Sequence, residues 1–135
     1  MSEMIRVGQE HGSSELLAVE VEPSQVANYG VFDVEATDDD RVKKVVGMVE
    51  KPAGEDAPSI LVAAGRYLLD RAIFGALRRI TPGKGQELQL TDAIVLLISE
   101  GRPVRVVVHG GIRHGLGNPA GFIPACVEFG LRHPK

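Results

Sequence analysis

Tryptophan is absent from the 135-residue chain, and cysteine occurs once, as Cys126. A lone thiol closes no internal disulfide and leaves no cysteine pair for a structural zinc site, so packing alone has to hold the fold. No signal peptide is recognisable, and with a single thiol the expected setting is reducing and cytoplasmic. Long apolar runs are missing too. Stretches such as Ala93 to Ile98 fall far short of the ~20 residues that span a bilayer, so no membrane partner is expected. Positive charge is not in excess either: 15 basic against 18 acidic side chains give a net charge of −3. Without a chain-wide positive field, the phosphate neutralisation that drives nonspecific nucleic-acid binding is not available, and no nucleic-acid partner is expected. Any anionic ligand has to be held by a local site.

What the chain does have is aliphatic. Hydrophobic residues make up 44% and charged ones 24%, with 16 Gly and 8 Pro but only two Tyr and four Phe. A chain of this size and apolar content builds one core, so a single domain over residues 1–135 is expected, and its many short connections suit an α/β fold. Apolar spacing marks a short helix over Glu3 to His11, with Met4, Val7 and Ile5 on its stripe and Gly12 as its stop. Strands follow at Glu15 to Val21, Val31 to Val34 and Val42 to Val49, the last two joined through the polar tip Asp38-Asp39-Asp40. One helical turn at Ser24 to Asn28 and a turn at Tyr29-Gly30 separate the first two.

The nearly continuous apolar run Ile60 to Leu69 reads as a strand covered on both faces. Asp70 is placed to cap a helix carrying Ile73, Leu77 and Ile80, and Thr91 to cap a second with Ile94, Leu97 and Ile98 inward. Val104 to Val108 is the last strand, and Asn118-Pro119 opens a last helix with Phe122, Cys126 and Phe129 on one face and Pro124 as a kink. Gly115-Leu116-Gly117-Asn118-Pro119-Ala120 fits the dinucleotide pattern G-x-G-x-x-[G/A]. Five residues separate it from its strand, however, and no second strand with an acidic residue ~20 positions on follows it, so it is read as a decoy. The four histidines include no i, i+4 pair, and the serines lack a nucleophile elbow. Neither zinc chemistry nor covalent acyl transfer is supported.

Glu50-Lys51-Pro52 sits where a strand gives way to a loop, the end of an α/β sheet at which ligands bind. A carboxylate accepts from sugar hydroxyls and an ammonium pairs with phosphate, so the two together suit a sugar phosphate. On spacing alone the pair also fits a solvated turn.

Taken in order, N-Y-G-V-F-D (28–33), M-V-E-K-P (48–52), A-P-S-I-L-V-A-A-G-R-Y-L-L (57–69), G-K-G-Q-E-L-Q-L-T-D-A-I (83–94) and G-L-G-N-P-A-G-F (115–122) change that reading. They resemble the C-terminal part of the bacterial UTP-glucose-1-phosphate uridylyltransferases, within the sugar nucleotidyltransferase superfamily. The resemblance implies an α/β fold with a mixed sheet and packed helices, and a reaction of UTP with glucose 1-phosphate giving UDP-glucose and pyrophosphate with Mg2+. It implies that Gly30 lets the backbone approach the sugar, that Glu50 binds hexose hydroxyls and that Lys51 binds the sugar phosphate. The family's glycine-rich nucleotide loop and its first metal-binding aspartate have no counterpart here. The second aspartate, from a motif like R-[YH]-D-[IL]-G, is replaced by Gly115 in Arg113-His114-Gly115-Leu116-Gly117. The chain alone is therefore expected to hold no Mg2+ and to bind glucose 1-phosphate or UDP-glucose weakly. It is expected either to be completed by a complementary N-terminal half or to act as a non-catalytic binding or oligomerisation module. In either case, apolar surface and open strand edges left by the missing half favour a homo-oligomer.

Overall fold

Along the chain the elements follow in the order α1 (Ser2–His11), β1 (Ser14–Glu20), β2 (Gly30–Ala36), β3 (Val42–Glu50), β4 (Leu61–Leu68), α2 (Ile73–Arg79), α3 (Leu90–Ser99), β5 (Val104–Val108) and α4 (Pro119–Arg132). Short 3-10 turns at Pro23–Asn28, Gly54–Asp56 and Lys84–Gln86 punctuate the loops. The structure is a computed structural model that describes residues 1–134, with the backbone alone for Lys84.

The strands form one mixed sheet that closes on itself in the order β1-β4-β2-β3-β5. β1 and β5 run parallel and every other pair is antiparallel. This is the α/β fold with a mixed sheet that the sequence predicts. The open strand edges expected of it are not found in that form, because the sheet rolls up. Its closure is nevertheless thin at one seam, where β2 meets β4 through Val31 and Val62 alone.

Side-chain alternation sorts the strands onto two surfaces. Leu16, Ala18, Phe32, Val45, Val104 and Val106 pack with Ile73 and Ala76 of α2 and Ala93, Ile94 and Leu97 of α3. On the other surface Met4 and Val7 of α1 meet Val42 and Val107, and Val26 of the first 3-10 turn meets Val19, Val31 and Val62. Ile5 lies outside the α1 stripe and is exposed.

Two strand readings need correction. Ile60 to Leu69 is not covered on both faces: β4 is buried at Leu61 and Val62, but Gly65, Arg66 and Tyr67 are exposed. The register with β1 slips between Leu16 and Ala18, opposite Gly65 at φ 71°. That left-handed backbone is the glycine-dependent geometry of a bulge, and it re-aims the strand's second half. Gly30, read as part of a turn, is the first residue of β2, paired with Glu50.

The helices also differ in detail. Asp70 accepts from the Ala72 N–H at 2.7 Å, capping the turn that leads into α2. α3 ends in a Schellman-type closure, with Gly101 at φ 78° and the Arg102 N–H on the Leu97 carbonyl. Asn118 caps α4 as its sequence predicts, accepting from the Gly121 N–H at 2.9 Å. The face expected to line α4 does not face inward: Phe122 and Phe129 are 51% and 65% exposed and Cys126 is exposed, whereas Ala125 is buried.

Candidate functional site

The C-terminal end of β3 and the N-terminal end of β2 meet as an antiparallel pair, Gly30 opposite Glu50 and Val31 opposite Val49. The ladder runs one step further, with the Lys51 N–H donating to the Tyr29 carbonyl at 2.9 Å. This register places Gly30, Glu50 and Lys51, the three residues singled out from the sequence, at one end of the sheet.

The carboxylate of Glu50 is held although the residue as a whole is exposed. Its Oε2 accepts from the Thr91 hydroxyl at 2.9 Å, and a Cβ built on Gly30 would stand 3.0 Å from the same oxygen and 2.7 Å from the Met48 Cε. Glycine at position 30 therefore has a local reason to be there: the space a side chain would take is filled by the ends of Glu50 and Met48. Thr91 is not the cap of α3. The helix begins one residue earlier, after Gln89, which makes no side-chain cap bond, and Thr91 lies buried in its first turn with its hydroxyl turned to β3. Sequence reasoning missed this partner, because a threonine before a helical pattern also fits a cap and nothing local points 41 residues back.

Lys51 has φ 48°. A non-glycine residue in the left-handed region is held there at some cost by its surroundings, here the Tyr29 carbonyl on one side and the buried Pro52 on the other. Lys51 is exposed and follows Glu50 directly, so the strand end carries a held acceptor and, at the next residue, a cation. Tyr67 of β4 belongs to the same electrostatic neighbourhood: burial first, and the Glu50 carboxylate second, push its phenol above the ordinary value.

The loop between β5 and α4 reaches this end of the sheet. The Arg113 guanidinium lies 4.7 Å from the centroid of the Tyr29 ring, a cation–π contact one residue from Gly30. His114 turns the other way and is tied to α4, with Nε2 3.1 Å from the Glu128 carboxylate and its ring 5.5 Å from that of Phe129. Glu128 also pairs with Arg132. Gly115 has open space around the position of a Cβ, but the polar side chains just before it in sequence are Arg113 and His114, which bring no oxygen, and the Glu128 carboxylate is already engaged. These residues do not fit Mg2+, which requires free oxygen ligands. Among the described residues no three His, Cys, Asp or Glu side chains converge. His109 folds over Gly111 and takes no part in the site. In the Gly115 to Ala120 pattern, Gly121 packs on the Gly115 carbonyl and Asn118 serves as a cap, so the glycines there shape a turn.

The nucleotidyl transferase family pattern matches residues 1–125. The chain is 43% identical over 137 aligned positions to the UTP-glucose-1-phosphate uridylyltransferase of Escherichia coli K12, covering 98% of this chain and 44% of that one. It is 39% identical to the enzyme of the same name from Haemophilus ducreyi, with 100% and 46% covered. Among solved structures it superposes on a UDP-glucose pyrophosphorylase complexed with UDP-glucose at TM-score 0.89 and 33% identity, covering 97% of this chain and 49% of that one. The UTP-bound enzyme from Acinetobacter baumannii gives TM-score 0.85 at 32% identity, with 99% and 45% covered. The chain thus spans less than half the length of these relatives, and over nearly all of its own length, in sequence and in fold, it belongs to the nucleotidyl transferase family.

Proposed function

We propose that this chain is the sugar-phosphate half of a UTP-glucose-1-phosphate uridylyltransferase and corresponds to the C-terminal part of such enzymes. Glu50 accepts hydrogen bonds from the hexose hydroxyls, Lys51 neutralises the phosphate, and Gly30 keeps the backbone and the Glu50 carboxylate close enough to act on the same ring. The observation that supports this best lies at the end of β3, where the Glu50 carboxylate is held by Thr91 and the next residue in the chain, Lys51, is exposed. The arrangement suits a ligand with hydroxyls at one end and an anion at the other, as in glucose 1-phosphate or the glucose-phosphate portion of UDP-glucose.

In the complete reaction an oxygen of the sugar phosphate attacks the α-phosphorus of UTP, and the bond to the leaving pyrophosphate breaks. Rate in phosphoryl-type transfer comes from holding both partners in line and neutralising the charge that develops. This chain's residues hold the attacking partner. With Gly115 where the family places an aspartate, and with no counterpart of the glycine-rich nucleotide loop, a complementary N-terminal half has to supply the rest. The reading therefore expects the chain alone to make no UDP-glucose.

The alternative, a non-catalytic binding or oligomerisation module, draws on α4, whose Phe122, Ile123, Val127, Phe129 and Leu131 are exposed. Calorimetric titration of glucose 1-phosphate into two variants tests the site. Lys51→Ala removes the phosphate's cation and is expected to abolish measurable binding. Glu50→Gln keeps an acceptor oxygen and is expected to weaken binding by only about 3- to 10-fold. Unchanged affinity in Lys51→Ala overturns the assignment.

A further inference from the structure

We infer that Thr91 is the positioning residue of the Glu50 carboxylate, so that helix α3, from which no sequence motif predicts a binding role, sets the geometry of the sugar-recognising group. As a statement about sugar binding, this rests on the half-site reading above. As a statement about Glu50, it rests on geometry alone.

A threonine hydroxyl in the first turn of a helix ordinarily bonds locally, to a nearby carbonyl or as a cap. That of Thr91 instead donates to Glu50 Oε2 at 2.9 Å. The residue is 8% exposed and is followed by Ala93, Ile94 and Leu97, which are buried in the core, so the donor is fixed by the packing of the whole helix. The same oxygen borders the space that a side chain at position 30 would take, since a Cβ on Gly30 would come within 3.0 Å of it. Oε2 is thus engaged by a fixed donor, which leaves Oε1 for a ligand. A glutamate at an exposed strand end otherwise samples several rotamers, and ordering it on binding weakens affinity; here the ordering is complete before the ligand arrives. The N-terminus of α3 also favours a negative charge at this place.

The test compares Thr91→Val, which keeps the shape and loses the hydroxyl, with Thr91→Ser, which keeps the hydroxyl. Thr91→Ala serves as a second hydroxyl-free variant should valine disturb folding. Glucose 1-phosphate affinity is expected to fall about tenfold in Thr91→Val and Thr91→Ala and to stay within about twofold in Thr91→Ser. In a Glu50→Ala background, Thr91→Val is expected to cause no further loss, because a residue acting through another has no effect once that partner is gone. Independently of any sugar, the carboxyl carbon resonance of Glu50 is expected to move in Thr91→Val and Thr91→Ala but not in Thr91→Ser. An unmoved resonance in the hydroxyl-free variants overturns the positioning role, as does a further loss of affinity in the Glu50→Ala background. A wild-type chain that binds no glucose 1-phosphate defeats the half-site reading instead, and the resonance still decides whether Thr91 holds Glu50.

Discussion

At Lys51 backbone strain coincides with the proposed phosphate-binding cation. Its left-handed backbone, φ 48°, is one that glycine adopts freely and that costs other residues about 1 kcal/mol or more. Lys51→Gly is therefore expected to raise stability, by up to about 1 kcal/mol, while abolishing sugar-phosphate binding. Urea denaturation checks this, and a lowered midpoint counts against strain at Lys51. Gly115 gives a second test, because a Cβ there meets nothing within 4 Å. Gly115→Asp is expected to leave stability within about 0.5 kcal/mol of the parent and, once a complementary N-terminal half is added, to raise the rate of UDP-glucose formation. Glu50 and Lys51 are noticeable in the sequence as an acidic and a basic residue closing a strand, but that pattern also fits a solvated turn, and the family resemblance is what made them a candidate site. Thr91 is not noticeable in this way, since a bond between positions 50 and 91 exists only after β3 and α3 have packed. The same limit hid the contact of Arg113 with Tyr29.

Among the secondary-structure elements, α1 carries a pH dependence. Glu15 of β1 is fully buried beneath it: a Cβ on Gly8 would stand 3.3 Å from the Glu15 Cγ. One carboxylate oxygen accepts from the Ser13 hydroxyl and the other, Oε2, has no partner. Burial pushes this carboxyl up from 4.5 to about 7, with Ser13 and then Arg105 of β5 opposing the shift. In the unfolded chain the group ionises near its ordinary value, so between these two values the folded state binds the extra proton. The contribution of this group to stability is then greatest below about pH 4.5 and is lost as the pH rises toward about 7, by about 3 kcal/mol. Glu15→Gln is expected to remove that decline, with the protection factors of the α1 amides, corrected for the intrinsic exchange rate, becoming insensitive to pH over the same range. A wild-type stability that does not fall relative to Glu15→Gln between about pH 5 and about pH 8 contradicts this. Element boundaries were largely legible because aliphatic alternation and punctuating Gly and Pro are strong local signals. β4 was misjudged because an apolar run does not reveal a bulge at Gly65 or how few strands pair with its second half. The α4 face was misjudged because amphipathic spacing shows which residues share a stripe without showing what covers it.

Taken whole, the molecule is a mixed sheet rolled into a ring, helices on both surfaces, and one helix, α4, whose apolar residues are mostly uncovered. A second copy or the complementary half is the proposed cover. Sedimentation at micromolar concentration is expected to show association that Phe129→Ser together with Leu131→Ser weakens, and a purely monomeric profile counts against it. On the proposed half-site reading, purified chain incubated with UTP, glucose 1-phosphate and Mg2+ is expected to form no UDP-glucose, because that reading gives a site to only one of the two reactants. The account stands or falls on which reactant that is. Calorimetric titration of the 135-residue chain with glucose 1-phosphate and, separately, with UTP decides it. The prediction is weak, saturable binding of glucose 1-phosphate that Lys51→Ala removes, with UTP binding no more tightly. UTP binding more tightly than the sugar phosphate would contradict the assignment of the β2–β3 end as the sugar-phosphate half-site.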